Sequence, residues 1–183
     1  RDWSSDVCSS DLSRIIMPHF HIPLQSGSDK ILGLMRRRYK RHLYAQKVGL
    51  IKTLMPHAGI GVDVITGFPG ETDDDFRDSA EFISDLNVSY LHVFTYSERD
   101  DTQALELTGK VPMEKRNERT RQLRNISYRK MADFTAQHAG ETLKVLFEGK
   151  NKNGMMEGYT DNYIRIETLY NKDWENRIVE FTI

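Results

Sequence analysis

Four short strings in this 183-residue chain carry residue types that can bind a charged ligand or do chemistry. The first is His19-Phe20-His21-Ile22-Pro23-Leu24-Gln25-Ser26-Gly27-Ser28. Gln25 and Ser26 stand where an apolar run gives way to a helix start. Backbone N–H groups and small polar side chains at such a junction hold anionic or zwitterionic ligands. His19 and His21 are two apart, which puts both on one face of a strand. A metal needs a third ligand that the spacing does not supply, so structural histidines are the expectation. The second string is Met35-Arg36-Arg37-Arg38-Tyr39. Guanidinium forks bind carboxylates and phosphates bidentately, which marks Arg36 and Arg37; cations at a helix end also suit its dipole without any ligand.

The third string is Asp63-Val64-Ile65-Thr66-Gly67-Phe68-Pro69-Gly70-Glu71-Thr72. Gly67 and Gly70 around Pro69, just past a strand, let backbone approach a ligand closely. A plain turn has the same composition. The fourth is a terminal set of cations and aromatics: Lys150, Lys152, Tyr159, Asn162, Tyr163 and Arg165. Nucleic-acid bases stack on aromatic rings while cations track phosphates. An ordinary polar sheet exterior is the plain reading of this set. No Ser–His–Asp arrangement, Walker loop or dinucleotide glycine fingerprint is present, and no acid/base pair stands out.

Elements must position these strings. Ser28 is a suitable N-cap for a helix through Ile31, Leu32, Leu34 and Met35. Leu43, Ala45, Val48, Leu50, Ile51 and Leu54 recur at helical spacing until Pro56. Residues 61–66 read as a buried strand. Thr72 with Asp75 is a capping-box pattern for a helix reaching about Leu86. Residues 89–96 read as a strand and 97–110 as a polar loop. Pro112 suits the first position of a long helix that Gly140 stops. Strand and helix alternate three times, so the expectation is a parallel α/β sheet, either open or part of a barrel. After Gly140 the period changes to two: Leu143, Val145 and Phe147, then Ile164 and Ile166. This predicts a small all-β barrel over the last 43 or so residues.

Composition bounds the rest. The chain is 38% apolar and 29% charged, enough core to exclude wholesale disorder. No apolar run reaches the ~20 residues of a membrane helix, and no secretory signal is recognisable. The single cysteine, Cys8, excludes a disulfide framework and a multi-cysteine metal site. A cytoplasmic protein is therefore expected. The net charge of −1 hides segregation. Lys30–Lys52 holds eight Lys/Arg and no acid. Glu71–Asp85 holds seven acids against Arg77. Lys110–Lys130 holds eight Lys/Arg against Glu114 and Glu118. The basic stretches suggest a local anionic partner, unless they are solvated helix faces. Residues 1–12, with Asp2–Leu12 reading DWSSDVCSSDL, match the translation of a sequencing-library adapter and are expected to be a non-native tail.

In this order, HFHIPLQSGSDKILGLMRRRY, DVITGFPGETDDDF, LHVFTYSER and GYTDNYIRI resemble the radical SAM methylthiotransferases that modify tRNA. The resemblance covers about residues 13–183. The His-Phe-His lead-in, the three-arginine run and the LHVF strand are most similar to the type acting on N6-threonylcarbamoyladenosine; the isopentenyladenosine type is the alternative. The resemblance implies that residues 13–140 hold the last three βα units of a radical SAM (β/α) barrel. It implies a TRAM-like RNA-binding domain over residues 141–183. It also implies S-adenosyl-L-methionine and 4Fe-4S clusters as cofactors, and tRNA, at its anticodon stem-loop, as partner. The reaction would methylthiolate carbon 2 of the modified adenosine beside the anticodon. Gln25, Ser26, Gly67, Pro69 and Gly70 fall on motif positions and are the expected S-adenosylmethionine pocket. Arg36 or Arg37 would meet its carboxylate or the tRNA backbone. Lys150, Lys152, Tyr159, Asn162, Tyr163 and Arg165 are the expected RNA contacts. The cluster cysteines of the family are missing here, so the chain alone is expected to be catalytically inert. It would then amount to a tRNA-binding module without chemistry.

Overall fold

A computed structural model describes residues 17–100 and 102–183; the expected adapter-derived tail, with Cys8, lies outside the described residues. Three parallel strands form the first sheet in the order β1 (His19–His21), β2 (Gly59–Thr66), β3 (Tyr90–Thr95). Phe20 pairs with Ile60, and Val64 with Val93. Gln25 extends β1 through an isolated bridge to Val64. Short α1 (Asp29–Leu34) and long α2 (Arg41–Leu54) link β1 to β2. The third helix, α3 (Asp73–Asp85), links β2 to β3, and α4 (Met113–Ala136) follows β3.

The period-two pattern of the strands decides which face the helices cover. Val62, Val64, Leu91 and Val93 are buried against Tyr44, Val48, Ile51, Ile83 and Leu123 of the helices. Their neighbours Asp63, Ile65, His92 and Phe94 lie on the opposite face, which no helix among the described residues covers. Such a one-sided α/β layer is what three consecutive units of a (β/α) barrel provide.

Local chemistry sets the boundaries. Ser28 caps α1, its hydroxyl accepting from the Ile31 N–H. Thr72 and Asp75 form the expected reciprocal capping box. β2 begins two residues earlier than residue 61, since Gly59 and Gly61 continue the strand at close approaches to Asn162 and Tyr90. Pro112 caps α4 from outside, with an extended ψ of 145°, and helical geometry starts at Met113.

The all-β unit is a four-stranded antiparallel sheet ordered β6 (Arg165–Leu169), β5 (Met155–Thr160), β4 (Thr142–Lys150), β7 (Ile178–Thr182). Val145, Phe147, Met156, Ile164 and Ile166 form its core, and Phe134 at the end of α4 inserts into it. Trp174 and Phe181 pack on the Phe147 ring at 5.5 and 5.6 Å between centroids. Among the described residues, no helix is long and apolar enough to cross a membrane.

Candidate functional site

The uncovered face of the parallel sheet runs between two hollows. At the C-terminal strand ends, Leu34, Arg36, Arg37, Phe68, Tyr96 and Gln103 are among the residues around a hollow of about 280 Å3. Tyr96 follows β3 on the same face as His92 and Phe94. Its ring meets Phe68 edge-on at 5.2 Å, and the Arg116 guanidinium lies 5.3 Å from its centroid. The Tyr96 hydroxyl is buried with no hydrogen-bond partner among the described residues. A buried phenol without a partner is costly, and a polar ligand in the hollow would satisfy it.

The glycine loop beside this hollow is held by α4. Gly67 has a φ of +74°, and a Cβ there would strike the Arg116 side chain. The Gly67 N–H donates to Glu71 Oε2 at 2.7 Å. Arg119 donates to the same carboxylate at 2.6 Å and to Asp73 at 2.8 Å. Burial pushes the Glu71 carboxyl up from its ordinary value, against the pull of the Gly67 N–H and the Arg119 guanidinium. One turn away, Arg116 holds the following loop through the Val111 and Tyr96 carbonyls and a two-pronged pair with Glu98. Its side-chain hydrogen bonds hold the Glu98 carboxyl down at about 2. On the other side of the loop, Asp75 accepts from Ser28 and, at 2.6 Å, from Lys30, whose ammonium also reaches the Gly70 carbonyl.

The expected pocket residues divide on this geometry. Arg36 and Arg37 border the hollow, with Arg36 at a φ of +55°. Gln25 lies where β1 ends, at a φ of +72°, its backbone bonded to Asp63 and Ile65. Ser26 is buried and its hydroxyl accepts from the Ser28 N–H. Gly67, Pro69 and Gly70 shape the loop, but the Gly67 and Gly70 N–H groups are taken by Glu71 and the Gly109 carbonyl. Sequence reading missed Phe68 and Tyr96. The period-two run Tyr90, His92, Phe94, Tyr96 was the signal that could have found Tyr96.

At the N-terminal strand ends the sheet meets the all-β unit. The His21 ring N–H donates to Asp63 at 2.8 Å, and His19 Nε2 lies 2.8 Å from the Tyr90 hydroxyl. Burial pushes the Tyr90 hydroxyl up to about 12, so it stays protonated at neutral pH. The two histidines do share a face, and among the described residues no group of three or more His, Cys, Asp or Glu could hold a metal ion.

Of the expected RNA contacts, Tyr159, Tyr163 and Arg165 come together. Arg165 is paired with Glu157 at 2.6 Å. Lys150 and Lys152 lie at the β4–β5 hairpin instead, with the Lys150 ammonium over the Tyr170 ring. Asn162 is buried, not displayed: it is 2% exposed. Its amide donates to the His57 carbonyl at 2.9 Å and to His138 Nε2 at 3.2 Å, which joins the two units. Its polar amide suggests a surface residue, although it shares the inward parity of Ile164 and Ile166; its partners lie in the first unit, far along the chain.

Residues 10–83 match the Radical SAM superfamily. The chain is 35% identical to threonylcarbamoyladenosine tRNA methylthiotransferase MtaB of Bacillus subtilis over 94% of this chain and 39% of that protein. It is 40% identical to the MtaB of Aquifex aeolicus over 83% of this chain and 36% of that protein. It is 34% identical to tRNA-2-methylthio-N(6)-dimethylallyladenosine synthase of Bacillus velezensis over 92% of this chain and 33% of that protein. The chain thus spans less than half the length of these relatives. Escherichia coli coproporphyrinogen III oxidase (HemN), a radical SAM enzyme, superposes with a TM-score of 0.47 at 14% identity, over 66% of this chain and 26% of that one. Residues 10–83 are thus similar to the Radical SAM superfamily, and most of the chain is similar to tRNA methylthiotransferases.

Proposed function

We propose that this chain is the C-terminal part of a radical SAM tRNA methylthiotransferase that acts on N6-threonylcarbamoyladenosine beside the anticodon. One observation carries the reading. A single sheet face connects a hollow bearing two arginines and an unpartnered phenol to an all-β unit bearing stacked tyrosines. Residues 13–140 are then the end of the radical SAM barrel, and residues 141–183 a TRAM-like RNA-binding unit. The protein works in the cytoplasm.

The hollow fits S-adenosylmethionine chemically. Its carboxylate suits the Arg36 and Arg37 forks, its polar edge would satisfy the Tyr96 hydroxyl, and Phe68 and Leu34 offer apolar contact. In the whole enzyme one S-adenosylmethionine would supply the methyl group, and a second, reduced by an electron from outside this chain, would supply the radical chemistry at a C–H bond. The residues here would bind and orient it, with Phe68 of the glycine loop against its side. An iron–sulfur cluster does not fit this chain: one cysteine in 183 residues cannot supply the thiolates a cluster needs. The chain alone therefore binds S-adenosylmethionine without cleaving it.

The test is to profile tRNA nucleosides after deleting the intact gene. Loss of 2-methylthio-N6-threonylcarbamoyladenosine is expected. Loss of the isopentenyl counterpart instead would assign the second type of relative, and loss of neither would overturn the reading.

A further inference from the structure

The junction of the two units holds a cleft of about 390 Å3, distinct from the glycine-loop hollow at the other end of the sheet. Tyr90, His92, Tyr159, Tyr163 and Arg165 line it, with Met131 and Phe134 from α4 on its apolar side. The rings are held nearly parallel across the junction. Tyr163 stacks on His19 at 4.3 Å and 14°, and on Tyr159 at 4.8 Å and 24°. Tyr90 lies 6.0 Å from Tyr163 at 29°.

Core packing does not account for this set. Tyr163 is 48% exposed and sits at a φ of +70°, a conformation that is costly for a bulky residue. Bringing a large polar ring to a wet cleft in a strained turn leaves apolar area in water, which burial alone would not select. Cations flank the cleft. Arg165 stands at one lip, paired with Glu157 and with Glu167, which also lines the cleft, so the unpaired positive charge comes from further along. Beyond His92 the surface continues into a smaller hollow with Arg124 and Tyr128, and Arg124 is exposed there.

We propose that this cleft seats one unpaired nucleotide of an RNA, its base extending the His19–Tyr163–Tyr159 stack on the outer face of Tyr159 beside Tyr90, and its phosphate toward Arg124. Stacking on preset rings tolerates any base and excludes paired ones, whose faces are covered by their neighbours. The volume admits a single nucleotide and no duplex. His92 belongs to both the cleft and the uncovered sheet face, so the seated nucleotide lies at the opposite end of that face from the glycine loop. The Tyr90–Tyr96 run measures about 20 Å at ~3.3 Å per residue, so the cleft lies several nucleotides' reach from the glycine-loop hollow. The proposal rests on the RNA partner proposed above and adds where a loop nucleotide docks.

The test uses this chain and a short hairpin RNA whose loop carries 5-iodouridine, with a blunt duplex as control. Irradiation is expected to crosslink the loop to Tyr90, Tyr159 or Tyr163, read by mass spectrometry. Tyr159→Ala should weaken hairpin binding at least five-fold and leave duplex binding unchanged. Tyr163→Phe, which keeps the ring, should bind within two-fold of the parent. If the hairpin binds but every crosslink maps outside the three tyrosines, the cleft assignment fails and the RNA partner stands. If neither hairpin nor duplex binds, the RNA partner fails and the cleft with it. Crosslinking on the parent chain does not depend on any variant folding.

Discussion

The Arg119 guanidinium on α4 lies 2.6 Å from the Glu71 carboxylate at the end of the glycine loop, and both side chains are almost wholly buried, 4% and 2% exposed. The same carboxylate receives the Gly67 N–H, so one ion pair fixes both ends of a five-residue loop. The long helix after the last parallel strand is therefore what shapes the loop after the middle one.

Removing one partner of a buried pair leaves an uncompensated charge. Arg119→Leu is expected to lower unfolding free energy by about 3–5 kcal/mol in urea titration. Lys115→Leu removes an exposed contact to the same Asp73 and should cost under ~1 kcal/mol. Equal, small losses in the two variants would show that the pair does not hold the loop.

Asp75 gives the protein an acid-sensitive joint. Burial opposes its charge, but hydrogen bonds from Lys30 and Thr72 win and hold its carboxyl down at about 2, from an ordinary 3.8. A carboxyl lowered in the folded state contributes stability above its ordinary value and loses it as pH falls through the folded one. Stability should therefore drop between about pH 4 and pH 2 by more in the parent than in Asp75→Asn. Parallel pH curves would remove Asp75 as the cause.

Two glycines make opposite forecasts. Gly67→Ala puts a Cβ at positive φ against Arg116 and should cost about 2–3 kcal/mol, with weaker S-adenosylmethionine binding by calorimetry. Gly33 sits in α1 with open space around it, so Gly33→Ala should be neutral or stabilise by about 0.5–1 kcal/mol. A neutral Gly67→Ala would mean that the loop has another arrangement available.

Asn162 couples the units through His57 and His138, with its own carbonyl oxygen accepting from the Thr160 hydroxyl at 2.5 Å. Asn162→Ala leaves buried partners unmet and should cost about 1–3 kcal/mol. Scanning calorimetry should then resolve two transitions in place of one. A single, unshifted transition would show that the units are joined by other contacts.

Much of the architecture was legible because local rules and tertiary packing agreed. The α2 apolar spacing, the Ser28 cap and the Thr72–Asp75 box each lead to the element observed. Legibility failed where a residue's neighbour lies far along the chain. Asn162 is a polar amide on an inward-facing position, which makes sense only once residue 57 is placed beside it. Tyr96 looks like any strand-end tyrosine until residues 36 and 68 gather round it.

The charge pattern draws the dividing line. Local order along the chain is enough to read that acids cluster over 71–85 and cations over 110–130, together with the α/β order and the change to period two after Gly140. Folding alone brings the two clusters partly face to face, with Arg119 and Lys115 meeting Glu71 and Asp73, while Arg124 on the same helix lines a hollow beside His92. The physical reason is range. Periodicity and capping act within a few residues, whereas a charge's environment is set by whichever strand or loop the fold brings within about 4 Å.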